Sequence, residues 1–370
     1  MLEKNSTICI VHFRSIDNYP PIYNLLRLLD KNPILYNVYV ITSKFSCEND
    51  FNNIKFKQVN ISNENKFFKY FQYLIFYLKC FFQFILLRPK SILYFESLSA
   101  LPCIIYKNVN KKTKLFVHYH EYMTPKEYKD GMILDRINYF FEKLNRNLYD
   151  WFSHTNNERL QLFSSDFGYL PNEKLHVVPN FPLADWAINS KFHKQNLSSK
   201  IELVYIGAIS FEDTYIKEVL DFVKLNEDKY NLELFSFSIS DEILCYIQSL
   251  NCNSIKYSGP IKYGNIPSVL KNKDVGLILY KAKTLNFIYN APNKLFEYIV
   301  LGLDVWFSLE MKGCYLYKSN ESPKVIAVDF KNIPESIISY YKDKNINISK
   351  NNIYSTQNAT VHLTNALVNS

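Results

Sequence analysis

The sequence predicts an α/β fold made of two domains, each with a mostly parallel sheet. Its 370 residues fit two domains of ordinary size. Short apolar runs alternate with helical patterns along the chain, and this alternation is typical of parallel strands joined by helices. The alternation stops near residues 180–200 and restarts at Ile201, which indicates two separate strand–helix series.

The first series begins with the apolar run at 7–13. A helix at 19–30 follows, and prolines stand at its start, where the first turn tolerates them. Further strands are predicted at 36–43, 90–96, 114–120, 151–155 and 175–180.

The second series begins with a strand at 201–207 and a helix at 214–225. Further strands are predicted at 230–238, 254–260, 275–281 and 304–309. A polar, Pro-containing segment without periodicity separates the two series, as inter-domain linkers do. We therefore expect an N-terminal domain at 1–185, a linker at 186–200, a C-terminal domain at 201–345, and a tail or helix at 346–370 that packs back on the N-terminal domain.

Composition and charge exclude several classes of protein. The chain is 48% hydrophobic and 21% charged, which is globular rather than disordered. Its net charge of +8 is modest, and no nucleic-acid-binding motif accompanies it, so we expect no nucleic-acid partner. A weak preference for anionic surfaces, such as lipid headgroups or nucleotide phosphates, fits the charge better.

The cysteines and the first residues favour a reducing compartment. The seven cysteines form no C-x-x-C pair and none lies near a His at metal-ligand spacing, so free thiols and no metal site are predicted. The segment 1–13 has no long apolar run after its basic residue, which argues against a signal peptide. A cytoplasmic protein is the expectation.

An unusual helix is predicted at 66–90, where most residues are apolar. Its polar residues Lys69, Gln72, Lys79 and Gln83 recur at helical spacing in one narrow stripe. The length permits a membrane span, but polar residues in lipid are costly. The pattern favours a helix buried against the sheet, with a helix at the membrane interface and a true span as the alternatives.

The segment 285–302, "LNFIYNAPNKLFEYIVLG", concentrates special residues at one helix start. At 100° per residue, Asn293, Lys294 and Glu297 share one side of the helix and the apolar residues take the other. The preceding strand delivers this helix start to the carboxyl edge of a parallel sheet, where ligands bind. Helix N-terminal amides and Lys294 suit phosphate, while the Glu297 carboxylate suits the cis-diol of a ribose. The alternative is a solvated polar helix face.

The segment "NAPNKLFEYIVLGLDV" resembles the donor-nucleotide motif of group 1, family 4-like GT-B glycosyltransferases. "LVYIGAIS", "SGPIKYGNIPSVLKNKDVGLILYK", "LFVHYHEY" and "LHVVPNF" resemble the family's other landmarks in order, and the likeness covers roughly residues 5–345. The resemblance implies two Rossmann-like domains facing across a cleft. It also implies sugar transfer from a nucleotide-sugar to a hydroxyl of a glycan or lipid-linked acceptor, with retention, in bacterial surface polysaccharide synthesis.

The resemblance also implies roles for individual residues. Glu297 would hold the ribose, Asn293 and Lys294 would lie by the diphosphate or donor sugar, and Gly207 would let the backbone approach the diphosphate. Pro292 opens the donor helix. His120 and Glu121, at a strand end, are the candidate catalytic residues.

Two further residues are candidates on the acceptor side. Glu96 ends the strand "SILYFE", and Tyr19 lies in the loop "FRSIDNYPP" after the first strand. Strand alternation places His118 and His120 on one face, with His120 nearer the carboxyl edge.

The chain departs from the family's pattern at the phosphate clamp. Ala208 stands where an Arg often follows the glycine, Glu212 and Asp213 come next, and Lys217 lies late. No Asp-x-Asp metal motif occurs in the sequence, so no metal or other cofactor is expected, and the leaving group would be stabilised by the helix start and Lys294.

Two rival interpretations remain. One is a nucleotide-sugar epimerase or phosphorylase of the same fold. The other is a degenerate subunit that binds nucleotide or a partner without turnover. A helix at 66–90 that is partly exposed would favour a lipid-linked acceptor and peripheral membrane association.

Overall fold

The computed structural model describes residues 6–31, 36–43, 45–46, 48–59, 66–189, 200–333, 337 and 353–368. The chain divides into two compact units, the first made of residues 1–180 and 356–370 and the second of residues 181–355. Each unit is built on its own parallel sheet, so the predicted α/β class and two-sheet organisation are confirmed.

The first unit contains a seven-stranded sheet in the order β3-β2-β1-β4-β5-β6-β7. Every neighbouring pair in it is parallel. The elements are β1 (Ser6–His12), α1 (Pro20–Asp30), β2 (Tyr36–Ser43), β3 (Ile54–Val59), α2 (Lys66–Leu87), β4 (Ser91–Phe95), α3 (Ala100–Val109), β5 (Lys114–Tyr119), α4 (Pro125–Asp130), α5 (Ile133–Leu144), β6 (Trp151–His154), α6 (Asn157–Phe167) and β7 (Leu175–Val177).

The predicted strands of this series are all present, and β3 is an addition that the sequence pattern did not reveal. Its six residues, "IKFKQV", bury only the two ends, because β3 is an edge strand that pairs with β2 alone. A short edge strand with charged, half-exposed positions carries little of the apolar signal that marks a central parallel strand.

Helices cover both faces of the first sheet. Helices α2, α3 and α6 pack on one face, over a core that includes Val11, Tyr94 and Val117. Helix α1 packs on the other face. The C-terminal helix α13 (Thr356–Val368) joins α1 there, and the Ser91 hydroxyl donates to the Leu367 carbonyl at 2.9 Å.

The second unit contains a six-stranded parallel sheet in the order β10-β9-β8-β11-β12-β13. The strand β13 was not predicted from the sequence. The elements are α7 (Ala184–Asn189), β8 (Ile201–Ile206), α8 (Ile216–Leu225), β9 (Tyr230–Phe235), α9 (Asp241–Ser249), β10 (Ile255–Tyr257), α10 (Ile266–Leu270), β11 (Val275–Ile278), α11 (Leu285–Ile288), α12 (Asn293–Val300), β12 (Asp304–Ser308) and β13 (Val325–Val328).

The division between the units falls at residues 180 and 181, five residues before the predicted end of the first domain. The physical reason is Trp186, on α7, which is buried in the second unit's core with its ring 5.0 Å from that of Tyr263. Residues 190–199 of the predicted linker, and most of the predicted tail before α13, lie outside the described residues.

Helix α2 has one buried face and one exposed face. Tyr73, Phe76, Cys80 and Phe84 are buried in the core of the first unit, so the prediction of a helix packed against the sheet holds for this face only. Gln72 of the predicted polar stripe is also buried. The side opposite the core is apolar, because the polar stripe runs along the flank of the helix. Among the described helices, α2 alone is long and apolar enough to cross a bilayer, on length and composition only.

Candidate functional site

Each sheet has a point where the strand order reverses, and in open α/β sheets ligands bind at the carboxyl edge there. In the first unit this point lies between β1 and β4, and in the second between β8 and β11. The candidate residues follow these strands or their neighbours. They form two clusters, one in each unit.

In the second unit, α12 starts where the sequence predicts. Pro292 is its N-cap residue, in extended conformation. Proline has no backbone N–H that needs a partner, and its ring fixes φ at a value compatible with the start of a helix. Leu295, Phe296 and Ile299 are buried in the core, whereas Asn293 and Lys294 are partly exposed. The helix start therefore presents its first amides, which lack intrahelical partners.

Glu297 is buried, with 1% of its surface exposed, so the alternative of a solvated polar helix face does not hold for this residue. The Lys294 ammonium lies over it, 2.6 Å from Oε2, one helical turn away. The other oxygen, Oε1, has no hydrogen-bond partner in the described part of the chain. A buried carboxylate oxygen without a donor is costly, and a hydroxyl of a bound ligand would satisfy it.

The ion pair changes the role expected of Lys294. In this structure the lysine compensates the buried charge of Glu297, and its ammonium lies 6.0 Å from the centre of the Tyr263 ring. Tyr263 was not predicted from the sequence, because it comes from a separate segment before α10. A ligand phosphate and Glu297 would compete for the same ammonium.

Close packing of α12 on the sheet depends on Gly276 in β11. A Cβ atom there would lie 2.2 Å from the Tyr298 ring. This is shorter than any real contact between such atoms, so only glycine at this position leaves room for the tyrosine ring. Gly207, directly after β8, has a different neighbour. Its added Cβ would lie 3.0 Å from the Tyr205 hydroxyl, so a larger residue there would press on this side chain.

The loop after Gly207 is tied to the segment after β11. Thr214 and Tyr280 form an antiparallel bridge. The Lys283 ammonium lies 3.2 Å from a Glu212 oxygen and 3.6 Å from an Asp213 oxygen. The acidic residues that occupy the phosphate-clamp region therefore have a basic partner from another loop. Sequence order alone gave no signal of this pairing.

In the first unit, a pocket of about 130 Å³ lies at the carboxyl ends of β1 and β4. Its lining combines the predicted residues Tyr19, Glu96 and Glu121 with His12 and Arg14. Arg14 lies in the loop that was expected on the acceptor side, but neither it nor His12 was singled out from the sequence. Arg14 donates to the Tyr19 hydroxyl at 3.1 Å. The structure thus brings the carboxyl groups of Glu96 and Glu121, the Arg14 guanidinium and the Tyr19 phenol from separate segments to one pocket.

Glu96 has the most constrained geometry in this pocket. Its φ of 61° and ψ of 147° lie in a region that non-glycine residues rarely adopt, at a cost of about 1–3 kcal/mol. Its Oε1 accepts the His120 amide at 2.7 Å. Burial, with the nearby Glu121 charge, raises the pKa of Glu96 from 4.5 to about 8. Strained backbone and a raised carboxyl pKa together are typical of functional sites.

His120 lies deeper than the resemblance implies. Its ring is stacked on Phe95 at 5.3 Å and lies edge-on to His118 at 4.7 Å, so the predicted shared face of the two histidines is confirmed. Burial lowers the pKa of His120 to about 3, an effect that the Asn180 side chain opposes. The imidazole is therefore neutral near pH 7. Arg159 donates to the His120 carbonyl at 2.7 Å and holds the strand end in place.

The described residues contain no group of three or more His, Cys, Asp or Glu side chains arranged to hold a metal ion. The six cysteines in the described ranges are free thiols.

No family model and no curated protein matches the sequence. Solved structures, in contrast, match almost the whole chain. The structure of Anabaena Alr3699/HepE in complex with UDP has a TM-score of 0.72 at 10% identity, and the match covers 99% of this chain and 100% of that one. The lipopolysaccharide outer core galactosyltransferase WaaB has a TM-score of 0.67 at 13% identity, with 98% and 99% covered.

The chain has the GT-B glycosyltransferase fold. The match extends across both units, as it must for a GT-B protein. The UDP-GlcNAc 2-epimerase from Methanocaldococcus jannaschii also matches, with a TM-score of 0.61 at 12% identity and coverage of 98% and 100%. At such identities the GT-B fold is shared while the reaction is free to differ.

Proposed function

We propose that the protein is a glycosyltransferase that moves a sugar from a nucleotide-sugar to a hydroxyl of a glycan or lipid-linked acceptor. The observation that carries the proposal is the start of α12, where free amides, Lys294 and the unsatisfied Oε1 of buried Glu297 lie within one helical turn. Phosphate suits the amides, and a ribose hydroxyl suits Oε1. The proposal gains support from Anabaena HepE, a structural neighbour solved in complex with UDP and with UDP-glucose.

In the proposed reaction, the bond between the sugar's anomeric carbon and the diphosphate oxygen breaks, and the acceptor oxygen forms the new bond. Negative charge develops on the leaving diphosphate. Positive potential at the start of α12 and the Lys294 ammonium would stabilise that charge without a metal. Glu297 would orient the nucleotide, and Asn293 would lie beside the diphosphate or sugar.

We assign the acceptor side to the pocket of the first unit. Glu121 is exposed there, and Glu96 and Tyr19 line the same pocket. A carboxylic acid whose pKa lies near 8 is suited to exchange a proton with a hydroxyl at neutral pH. His120 is neutral and buried, so its proposed part is a contact with the sugar.

The wider proposal includes retention of configuration, a cytoplasmic location and a role in bacterial surface polysaccharide synthesis. These three parts of the proposal follow from the family resemblance. Product analysis after turnover with one nucleotide-sugar would give the anomeric outcome, and turnover in the presence of a chelator would test independence from metal.

A second candidate is a GT-B subunit that binds nucleotide or a partner without turnover. A specific observation favours it: the clamp region after Gly207 carries Glu212 and Asp213, and these occupy the nearby Lys283. Transfer or hydrolysis of a bound nucleotide-sugar would exclude this candidate.

The first experiment is calorimetry with UDP, GDP, ADP and CMP on the native protein and on Glu297→Ala. Losing hydrogen bonds to a charged acceptor costs about 1.5–3 kcal/mol, so affinity should fall about tenfold or more. Glu242→Ala is the control, because Glu242 is an exposed carboxylate on α9 of the same unit. Binding that survives Glu297→Ala unchanged would refute the ribose assignment, and no binding by a folded native protein would refute the donor site.

A further inference from the structure

The side of α2 that faces away from the sheet is an apolar surface. Phe71, Leu74, Leu78, Phe82 and Ile85, here called the apolar face, are each about half exposed, from 48% to 60%. At 100° per residue these five positions fall within one arc of 80°. Isolated exposed apolar residues are ordinary, but a contiguous stripe marks an interaction site.

The apolar face continues onto the neighbouring helix. Phe81 and Phe84 of α2 contact Tyr106 of α3, with ring centres 6.4 and 5.3 Å apart. On the outer side of α3, Ile105 and Val109 are 45% and 74% exposed. Both helices pack on the same face of the first sheet, so their outward residues form one surface.

Positive charge is concentrated at one end of this surface. The Lys114 amide donates to the Lys90 carbonyl at 2.8 Å, and this bond sets the chain after α2 beside the chain after α3. Arg88 and Lys90 from the first segment, and Lys111 and Lys112 from the second, are exposed. These four residues are here called the basic edge.

Negative charge is scarce in the segment that forms α2 and α3, although Asp150, from outside this segment, pairs with Lys107 and Lys114 near the basic edge. Between residues 66 and 114 the only acidic residue is Glu96, which lines the pocket at the opposite, carboxyl end of the sheet. A second copy of this chain would present the same acid-poor, basic surface and would offer no carboxylates to pair with the basic edge. An anionic partner with an apolar interior matches both features.

We propose that the apolar face and basic edge bind the surface of a bilayer that contains anionic lipid. The apolar side chains would enter the boundary between headgroups and acyl chains, while the basic edge would lie at the headgroup phosphates. The helix would lie in the plane of the membrane, because its other side is part of the first unit's core and is unavailable to lipid. This inference uses the first unit alone and does not depend on the donor site.

The test is flotation of the full chain with vesicles of phosphatidylcholine, with and without phosphatidylglycerol, at low and high salt. We expect binding to the anionic vesicles, weakening as salt rises, and little binding to phosphatidylcholine alone. The variant Leu78→Gln with Phe82→Gln should lower the partition coefficient about tenfold or more, since two apolar side chains leave the lipid. Lys111→Gln with Lys112→Gln should lower it mainly for anionic vesicles.

The matched control is Leu225→Gln with Leu316→Gln in the second unit, where both leucines are highly exposed; it should bind as the native protein does. All these positions are already exposed, so the variants should fold, and an unchanged thermal melting curve for each would verify this independently of the membrane result. If the chain never floats with anionic vesicles, or if the α2 variant floats like the native protein, the proposal is wrong. A dimer in light scattering that the α2 variant dissociates would instead assign the face to a second copy.

Discussion

The buried ion pair at the start of α12 makes the sharpest prediction about stability. Lys294 is the counter-charge for a Glu297 side chain that is 1% exposed, at 2.6 Å. Replacing Lys294 by Met keeps the length of the side chain and removes the charge. It leaves a buried carboxylate without compensation, and breaking a buried pair in this way costs about 3–5 kcal/mol.

The cost is measurable as a melting-temperature shift of the second unit. In a unit of this size, each kcal/mol lowers the melting temperature by about 2–4 °C, so Lys294→Met should lower it by on the order of 10 °C. In a Trp151→Phe background the remaining tryptophans, Trp186 and Trp306, both lie in the second unit, so their fluorescence reports the melting of that unit.

The double variant provides the decisive control. Adding Glu297→Gln to Lys294→Met removes the orphaned charge and should restore most of the lost stability, because a neutral amide is far cheaper to bury than a carboxylate. Equal melting temperatures for Lys294→Met and the native protein would refute the reasoning, as would a double variant no more stable than Lys294→Met alone.

Two further predictions concern one residue in each unit. The raised pKa of Glu96, about 8, means that the folded state holds its proton more tightly than the unfolded state. Glu96 therefore contributes a fall in stability as pH rises from about 4.5 to 8. Glu96→Gln should remove this contribution from the pH dependence of the first unit. The contribution of buried Glu142, whose pKa is raised to about 7, would remain, as would the opposite contribution of His12 and His120, whose pKa values are lowered to about 3. An unchanged pH slope would contradict the assignment. Gly276→Ala should destabilise the second unit by about 1–3 kcal/mol, because the added Cβ would overlap the Tyr298 ring. The control is Gly264→Ala, which should melt like the native protein because its added Cβ meets nothing within 4 Å. Equal losses of stability in both variants would point to a cause other than packing.

The sequence predicted the fold class because parallel strands buried on both faces leave continuous apolar runs, as in β1 and β5. It located α12 because Pro292 and the apolar positions Leu295, Phe296 and Ile299 encode a helix start and one buried side. These signals are local, so a single chain segment contains all the information they need.

Tertiary structure decided the surroundings of each candidate side chain. The pairing of Lys283 with Glu212 and the lining of the first unit's pocket by Arg14 join segments far apart in sequence, and no local pattern records such contacts. Burial of Glu297 under Lys294 likewise depends on how α12 packs on its sheet. The exposed side of α2 shows most clearly what the sequence alone does not determine. The sequence predicted an apolar helix, but only its packing on the sheet determined which of its apolar residues are buried and which remain at the surface.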